Sequence, residues 1–179
     1  MKFGKKIVTL AATAALIAGP AIVATAPAQA ATPKASYSGT TLISFKKQYA
    51  MVFKKIAPVA PGKFIGSKMT FKVTNVTGAG VLNAGGFKIG TATFVDPVIK
   101  INQAKKTAKV YFYNSGVRHL IMTAEHFKIK ADGVDGQVWQ GDAHLTKDKA
   151  VVEDLNYLLG TDILTPNAGI GQIRVTIMN

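Results

Sequence analysis

From Met69 to Leu145 the chain alternates apolar and polar residues in short runs, and each run ends in a turn. That period buries one face of a β-strand, and turns at this frequency make the strands antiparallel. Met69, Phe71 and Val73 alternate with Thr70, Lys72 and Thr74, and Phe87 and Ile89 flank Lys88. Phe94 to Ile101 reads as a strand interrupted at Asp96-Pro97, hence bulged or at an edge. Lys109 to Tyr113 runs into the tight turn Asn114-Ser115-Gly116 and returns through Val117 to Thr123. Phe127, Ile129 and Ala131 make a further alternating run, followed by the turn Asp132 to Gly136 and the strand Val138 to Leu145. Ile173, Val175 and Ile177 form the last strand. Seven or so such strands predict an antiparallel β-sandwich or barrel.

Two stretches carry helical spacing instead. The first is Ser44 to Ile56, with Ser44 as its cap and Phe45, Tyr49, Phe53 and Ile56 on one face. Lys46, Lys47, Lys54 and Lys55 then lie on or beside the opposite face, and Pro58 and Pro61 stop the helix. The second is Thr146 to Leu159, capped by Thr146 and closed by Gly160. Asp148, Glu153 and Asp154 read as its solvated face. Each helix leads through a Pro-containing loop to an Ile-Gly pair and a strand, which suggests a pseudo-symmetric pair with one helix at each end. Ala31 to Ser38 reads as a mobile lead or a first edge strand.

Residues 1–30 read as a secretory signal peptide. Lys2, Lys5 and Lys6 precede an apolar run from Ile7 to Ala18, and Ala28-Gln29-Ala30 is a small-x-small cleavage site. The apolar run is short and Pro20 follows it, which argues against a membrane anchor. The expected mature chain is a secreted single domain, residues 31–179, that keeps no membrane segment. It contains no cysteine, which excludes a disulfide scaffold, a thiol redox site and a Cys-ligated metal centre.

Charge is distributed unevenly. Ala31 to Val110 holds thirteen Lys against the single acid Asp96, whereas Tyr111 to Asn179 holds four Lys, two Arg and eight acids. A surface of this kind attracts small anions and cell-surface or host polyanions. Nucleic acid is disfavoured, because Arg is scarce and no nucleic-acid-binding motif is present. No nucleophile elbow, phosphate loop or metalloprotease helix occurs, so no catalytic motif is legible. Asp132 to Gly136 lacks the spaced acids and terminal Glu of a calcium loop and reads as a turn. Met51, Met69 and Met122 are oxidisable but read as core filler. His126 and His144 read as strand-edge residues. His119 is more suggestive: a hairpin would bring Arg118 and His119 near Tyr111 and Tyr113. Imidazole and phenolate both ligate haem iron, and Arg or Lys can hold its carboxylates.

Short patterns carry a family resemblance. They are Val81 to Phe87, His144-Leu145-Thr146, Asp154-Leu155-Asn156 and Ala168-Gly169-Ile170-Gly171. With them the chain is similar to secreted actinobacterial HtaA-type haem-binding β-domains. As a small basic domain behind a signal peptide it more closely resembles the RoxP family of secreted antioxidant proteins of skin propionibacteria. The resemblance implies an immunoglobulin-like β-sandwich, a positively charged groove, scavenging of radicals or reactive oxygen species, and a bound anionic cofactor such as haem. It also implies a haem-ligating Tyr in an early Ser-Phe-x-x-Tyr-like segment. Here Ser44 to Tyr49 is one residue longer, and no His lies between Tyr49 and Arg118. Ligation by Tyr49, Tyr111, Tyr113 or His119 therefore stays open, with Lys46, Lys47, Lys54 and Arg118 as carboxylate partners. The expected protein is a monomeric secreted antioxidant. The alternatives are a haem-binding module for iron acquisition or a polyanion or cell-wall adhesion domain.

Overall fold

A computed structural model describes residues 37–178. The expected signal peptide, and Ala31 to Ser38 as far as residue 36, lie outside the described residues. Strand β1 (Ser38–Phe45) pairs with β4 (Lys68–Thr77) on one side and β11 (Gly169–Met178) on the other. From β11 the ladder runs through β10 (Gly136–Leu145), β9 (Val117–Gly133), β8 (Thr107–Asn114) and β7 (Ala92–Asn102). It then returns through β5 (Gly80–Ala84) to β4. Every pairing is antiparallel, and the eight strands close into a barrel. Strand β6 (Gly86–Ile89) continues β5 past a bulge at Gly85 and pairs with the first half of β7. The strands β2 (Ala57–Val59) and β3 (Lys63–Ile65), joined through a cis Ala60-Pro61 bond, pair with β6 and β4 respectively.

The mainly-β expectation holds, and the immunoglobulin-like sandwich is corrected to a closed barrel. A sandwich leaves edge strands, whereas β7 here takes partners on both sides. The bulge expected at Asp96-Pro97 is present, with Asp96 at φ 50° and a register shift between Val95 and Val98. It bends β7 so that its two halves serve β6 and β5 in turn. Ser38 to Phe45 is a central strand, so Ser44 pairs across β1 and caps nothing.

Closure is thinnest between β5 and β7, where only Val81↔Ile99 and Leu82↔Val98 pair. Asn83 spans this seam from inside. Its Nδ2 donates to Val81 O at 3.2 Å and to Pro97 O at 3.1 Å, and its Oδ1 accepts from Thr41 Oγ1 at 2.7 Å. Thr41 and Asn83 are both buried, and the three bonds tie β1, β5 and β7 together. Around them Phe71, Phe87 and Phe112 pack edge-to-face at 4.9 and 5.6 Å between centroids.

Both helices occupy one end of the barrel, which corrects the expectation of one helix per end. Helix α1 (Lys47–Phe53) follows β1, and α2 (Lys149–Leu159) follows β10. Phe53 and Ile56 meet Leu155 around one small cavity of about 20 Å³, with Phe45, Leu145 and Ile170 among the other residues of its wall. Lys55 Nζ donates to Leu159 O at 2.8 Å and Gly160 O at 3.5 Å, filling carbonyls that the end of α2 leaves open. Gly160 terminates α2 as expected, in the left-handed conformation at φ 60°. The start differs: Asp148 is the cap, its carboxylate accepting from the Ala150 and Val151 amides. Thr146 is buried, and its hydroxyl accepts from the Asp148 amide instead. No helix among the described residues is long and apolar enough to cross a membrane.

Removing the seam should cost more than removing a cap. Asn83→Ala strands Pro97 O and Thr41, and should destabilise the fold by about 2–3 kcal/mol. Asp148→Ala should cost about 1 kcal/mol. Urea denaturation ranks the two, and an Asn83→Ala loss no larger than that of Asp148→Ala contradicts the assignment of the seam.

Candidate functional site

The β8–β9 hairpin turns through Ser115 and Gly116, both at positive φ (49° and 79°), which matches the twist of its strands. Its register decides where the candidate ligands point. Tyr113 pairs with Arg118, Tyr111 with Leu120, and Phe112 with His119. Directly opposed residues share a face. Phe112 is fully buried, so His119 lies on the inward side while Tyr111, Tyr113 and Arg118 stand on the outer wall. The Arg118 guanidinium sits 4.7 Å from the centre of the Tyr111 ring, and Lys100 approaches the same ring at 5.9 Å. His119 lines a separate cleft of about 200 Å³ with Phe94, Ile121 and the Leu155, Tyr157 and Leu158 side chains of α2. The expected single cluster is thus two places: a cation-flanked tyrosine outside, and an imidazole in a mixed cleft that Asn114 and Asp154 also line.

Helix α1 forms the third place. Lys46 precedes it in extended conformation, and its amide donates to Ile170 O at 2.8 Å, which anchors the helix start on β11. Tyr49 and Phe53 turn into the core, and the Phe53 ring packs tilted against Phe45 at 4.2 Å between centroids. The Tyr49 ring is 8% exposed. Its phenol oxygen is the polar end of an otherwise core-packed side chain. Lys46, Lys47 and Lys54 are exposed, Lys46 and Lys47 at the helix start and Lys54 at its end.

Sequence reasoning missed two neighbours of Lys46. A Cβ on Gly169 would stand 3.2 Å from Lys46 Nζ and 3.4 Å from His144 Cε1, so glycine there lets both side chains converge. The His144 ring is held by Asn167 O at 3.2 Å and by Glu125 at 3.9 Å. The Ala168-Gly169 pattern was the available signal, since a glycine at a strand start marks a close approach. His126 pairs with Asp142 at 3.0 Å on the outer wall. No group of three or more His, Cys, Asp or Glu among the described residues could hold a metal ion. Of the oxidisable methionines, Met69 and Met122 are core residues, and Met51 is 70% exposed.

No protein-family model matches the sequence, and no curated protein matches it. The chain is similar to a solved structure, the C-terminal domain of HtaA from Corynebacterium glutamicum. The two are 11% identical, with 78% of this chain and 96% of that chain covered at a TM-score of 0.51. The likeness is one of fold.

The separation of the two β8–β9 places is measurable by mutation. Arg118→Ala and Tyr111→Leu should couple by about 0.5–1 kcal/mol in a double-mutant cycle on stability. His119→Ala paired with Tyr111→Leu should be additive. Strong coupling in the second cycle would put His119 and Tyr111 on one face and contradict the register.

Proposed function

We propose that this chain is a secreted haem-binding module for iron acquisition, with Tyr49 as the iron ligand. The observation that carries the reading is a tyrosine, Tyr49, packed in the core on a helix whose start carries the exposed Lys46 and Lys47. A phenolate is a haem-iron ligand, and lysine ammonium groups pair with the haem carboxylates. The donor set therefore fits the group. The barrel shared with the C-terminal domain of HtaA supports the reading at the level of fold, as does the resemblance of Ser44 to Tyr49 to the HtaA-type segment.

In this reading each residue has a defined task. Core packing of the ring holds the Tyr49 oxygen in one direction, so little rotamer freedom is lost on binding. Lys46 and Lys47 supply positive charge within a turn of Tyr49 along the helix, and Lys54 supplies it at the far end of α1. His144, beside Lys46, is the nearest identified imidazole to this start of the helix. Arg118 is engaged with Tyr111 on the barrel wall, so Tyr111, Tyr113 and Arg118 are not assigned to the haem. His119 faces the α2 cleft and is not assigned either. Haem supplies iron that exchanges to an acceptor and is redox-active. Antioxidant activity, where it occurs, belongs to the loaded module.

A haem titration followed in the Soret region tests the assignment. Wild type should give a saturable shifted band. Tyr49→Phe keeps the packed ring, removes only the oxygen, and should lose that band or weaken affinity at least roughly tenfold, about 1.4 kcal/mol. Tyr111→Phe and His119→Ala should titrate like wild type. Loss of the band in either of those variants, with Tyr49→Phe unaffected, moves the ligand elsewhere. Radical quenching by the loaded protein then separates a scavenger from a carrier.

A further inference from the structure

A second basic feature lies away from α1, on the β7–β8 hairpin and the part of β9 beside it. Lys100 and Lys109 stand directly opposite each other across the hairpin, both exposed. Like charges at opposed positions destabilise a strand pair. The turn between them adds Lys105 and Lys106. It is a fixed turn: the Lys105 amide donates to Asn102 Oδ1 at 2.9 Å, and the Lys106 amide to Gln103 O at 3.1 Å. The Phe127 amide donates to Lys106 O at 2.8 Å, which ties the turn to β9 just before the exposed Lys128 and Lys130. At the other end of the strip Lys100 and Arg118 flank Tyr111.

No salt bridge among the described residues reaches a cation of this strip, although Glu125 lines the same surface depression as Lys109, and Asp142 the same one as Lys128 and Lys130. The ion pairs among the described residues are His126–Asp142, His144–Glu125 and Lys149–Glu153. The two acids on the adjoining wall, Asp142 and Glu125, are turned to histidines. Six lysines on a rigid hairpin and its neighbour, two of them opposed, form an arrangement that a bound anion would relieve.

We propose that this strip binds a sulfated polysaccharide. An extended row of ammonium groups matches a linear polymer with repeated oxyanions, and lysine suits point-charge contacts. Neutral hydrogen-bonding side chains are interleaved with the cations: Asn102 and Thr107 pair beside the turn, and Thr123 stands opposite Lys109. Such groups match sugar hydroxyls. A single-stranded nucleic acid would need an aromatic face for its bases, and the ring in the strip, Tyr111, is half-buried and already carries two cations. The chain also has only two Arg, Arg118 and Arg174. The strip shares no residue with the α1 site, so the proposal does not depend on haem binding.

Heparin is the probe, with the full chain titrated over a range of salt concentrations. Affinity should fall as salt rises, and desulfated heparin should not bind. The triple variant Lys105→Gln, Lys106→Gln, Lys109→Gln should bind heparin roughly tenfold or more weakly and show a shallower salt dependence. A control triple, Lys63→Gln, Lys68→Gln, Lys88→Gln, makes the same change in net charge elsewhere and should lose less than about twofold. Lys109→Gln alone should raise the low-salt melting temperature, because it removes the opposed charge. In the unaltered protein, heparin should protect Lys100, Lys105, Lys106, Lys109, Lys128 and Lys130 from acetylation. Equal losses in the two triples, protection spread over all lysines, or tighter binding of single-stranded DNA or polyphosphate than of heparin would overturn the proposal.

Discussion

The barrel depends on a buried amide. Between β5 and β7 the ladder shrinks to two residue pairs, because β7 bends at Asp96-Pro97 and its first half turns to β6. Backbone carbonyls left at such a bend cannot reach water, and each would be costly unpaired. Asn83 answers both problems with one side chain, capping Pro97 O across the seam and holding Thr41 on β1. The closed ring that results gives each of its eight strands partners on both sides, which suits a domain with no disulfide to support it.

Closure also organises the surface. With β1 held between β4 and β11, the chain leaves the barrel at Phe45 and turns directly into α1, while β10 delivers α2 to the same end. Lys55 then joins the two helices through the last carbonyls of α2. The helix end therefore carries core-anchored groups such as Tyr49, whose position is set by packing. The outer wall carries side chains set only by strand register, such as the Tyr111–Arg118 pair and the lysines beside it. A metal ligand benefits from the first kind of placement and a polymer from the second.

How much of this the sequence displays follows from which interactions are local. Alternation located β4 and the strands from β6 to β11 because each buries one face, and Gly160 and the Asn114 to Gly116 turn were readable from their own chemistry. Strand β1 was hidden because its inward position 41 is a threonine, whose partner Asn83 is 42 residues away. The same non-local pairing separates a barrel from a sandwich, so short alternating runs alone could not choose between them. Asp148 displaced Thr146 as helix cap because Thr146 is buried against the barrel. The site was only half legible. Adjacent strand residues face opposite ways, so Arg118 and His119 could not have shared one cluster. The convergence of Lys46 and His144 at Gly169, by contrast, needed the packed structure.

The most direct test of the haem assignment is to map the bound ferric group on the protein by NMR. Paramagnetic broadening of backbone amides reports distance from the iron, independent of any substitution. The account predicts that amides of residues 46–53, and of residues 168–171 beside Lys46, broaden first and most strongly. Broadening centred on Tyr111 and Arg118, or on His119 and the face of α2 around Tyr157, would contradict it. So would broadening spread evenly over the lysine-rich wall.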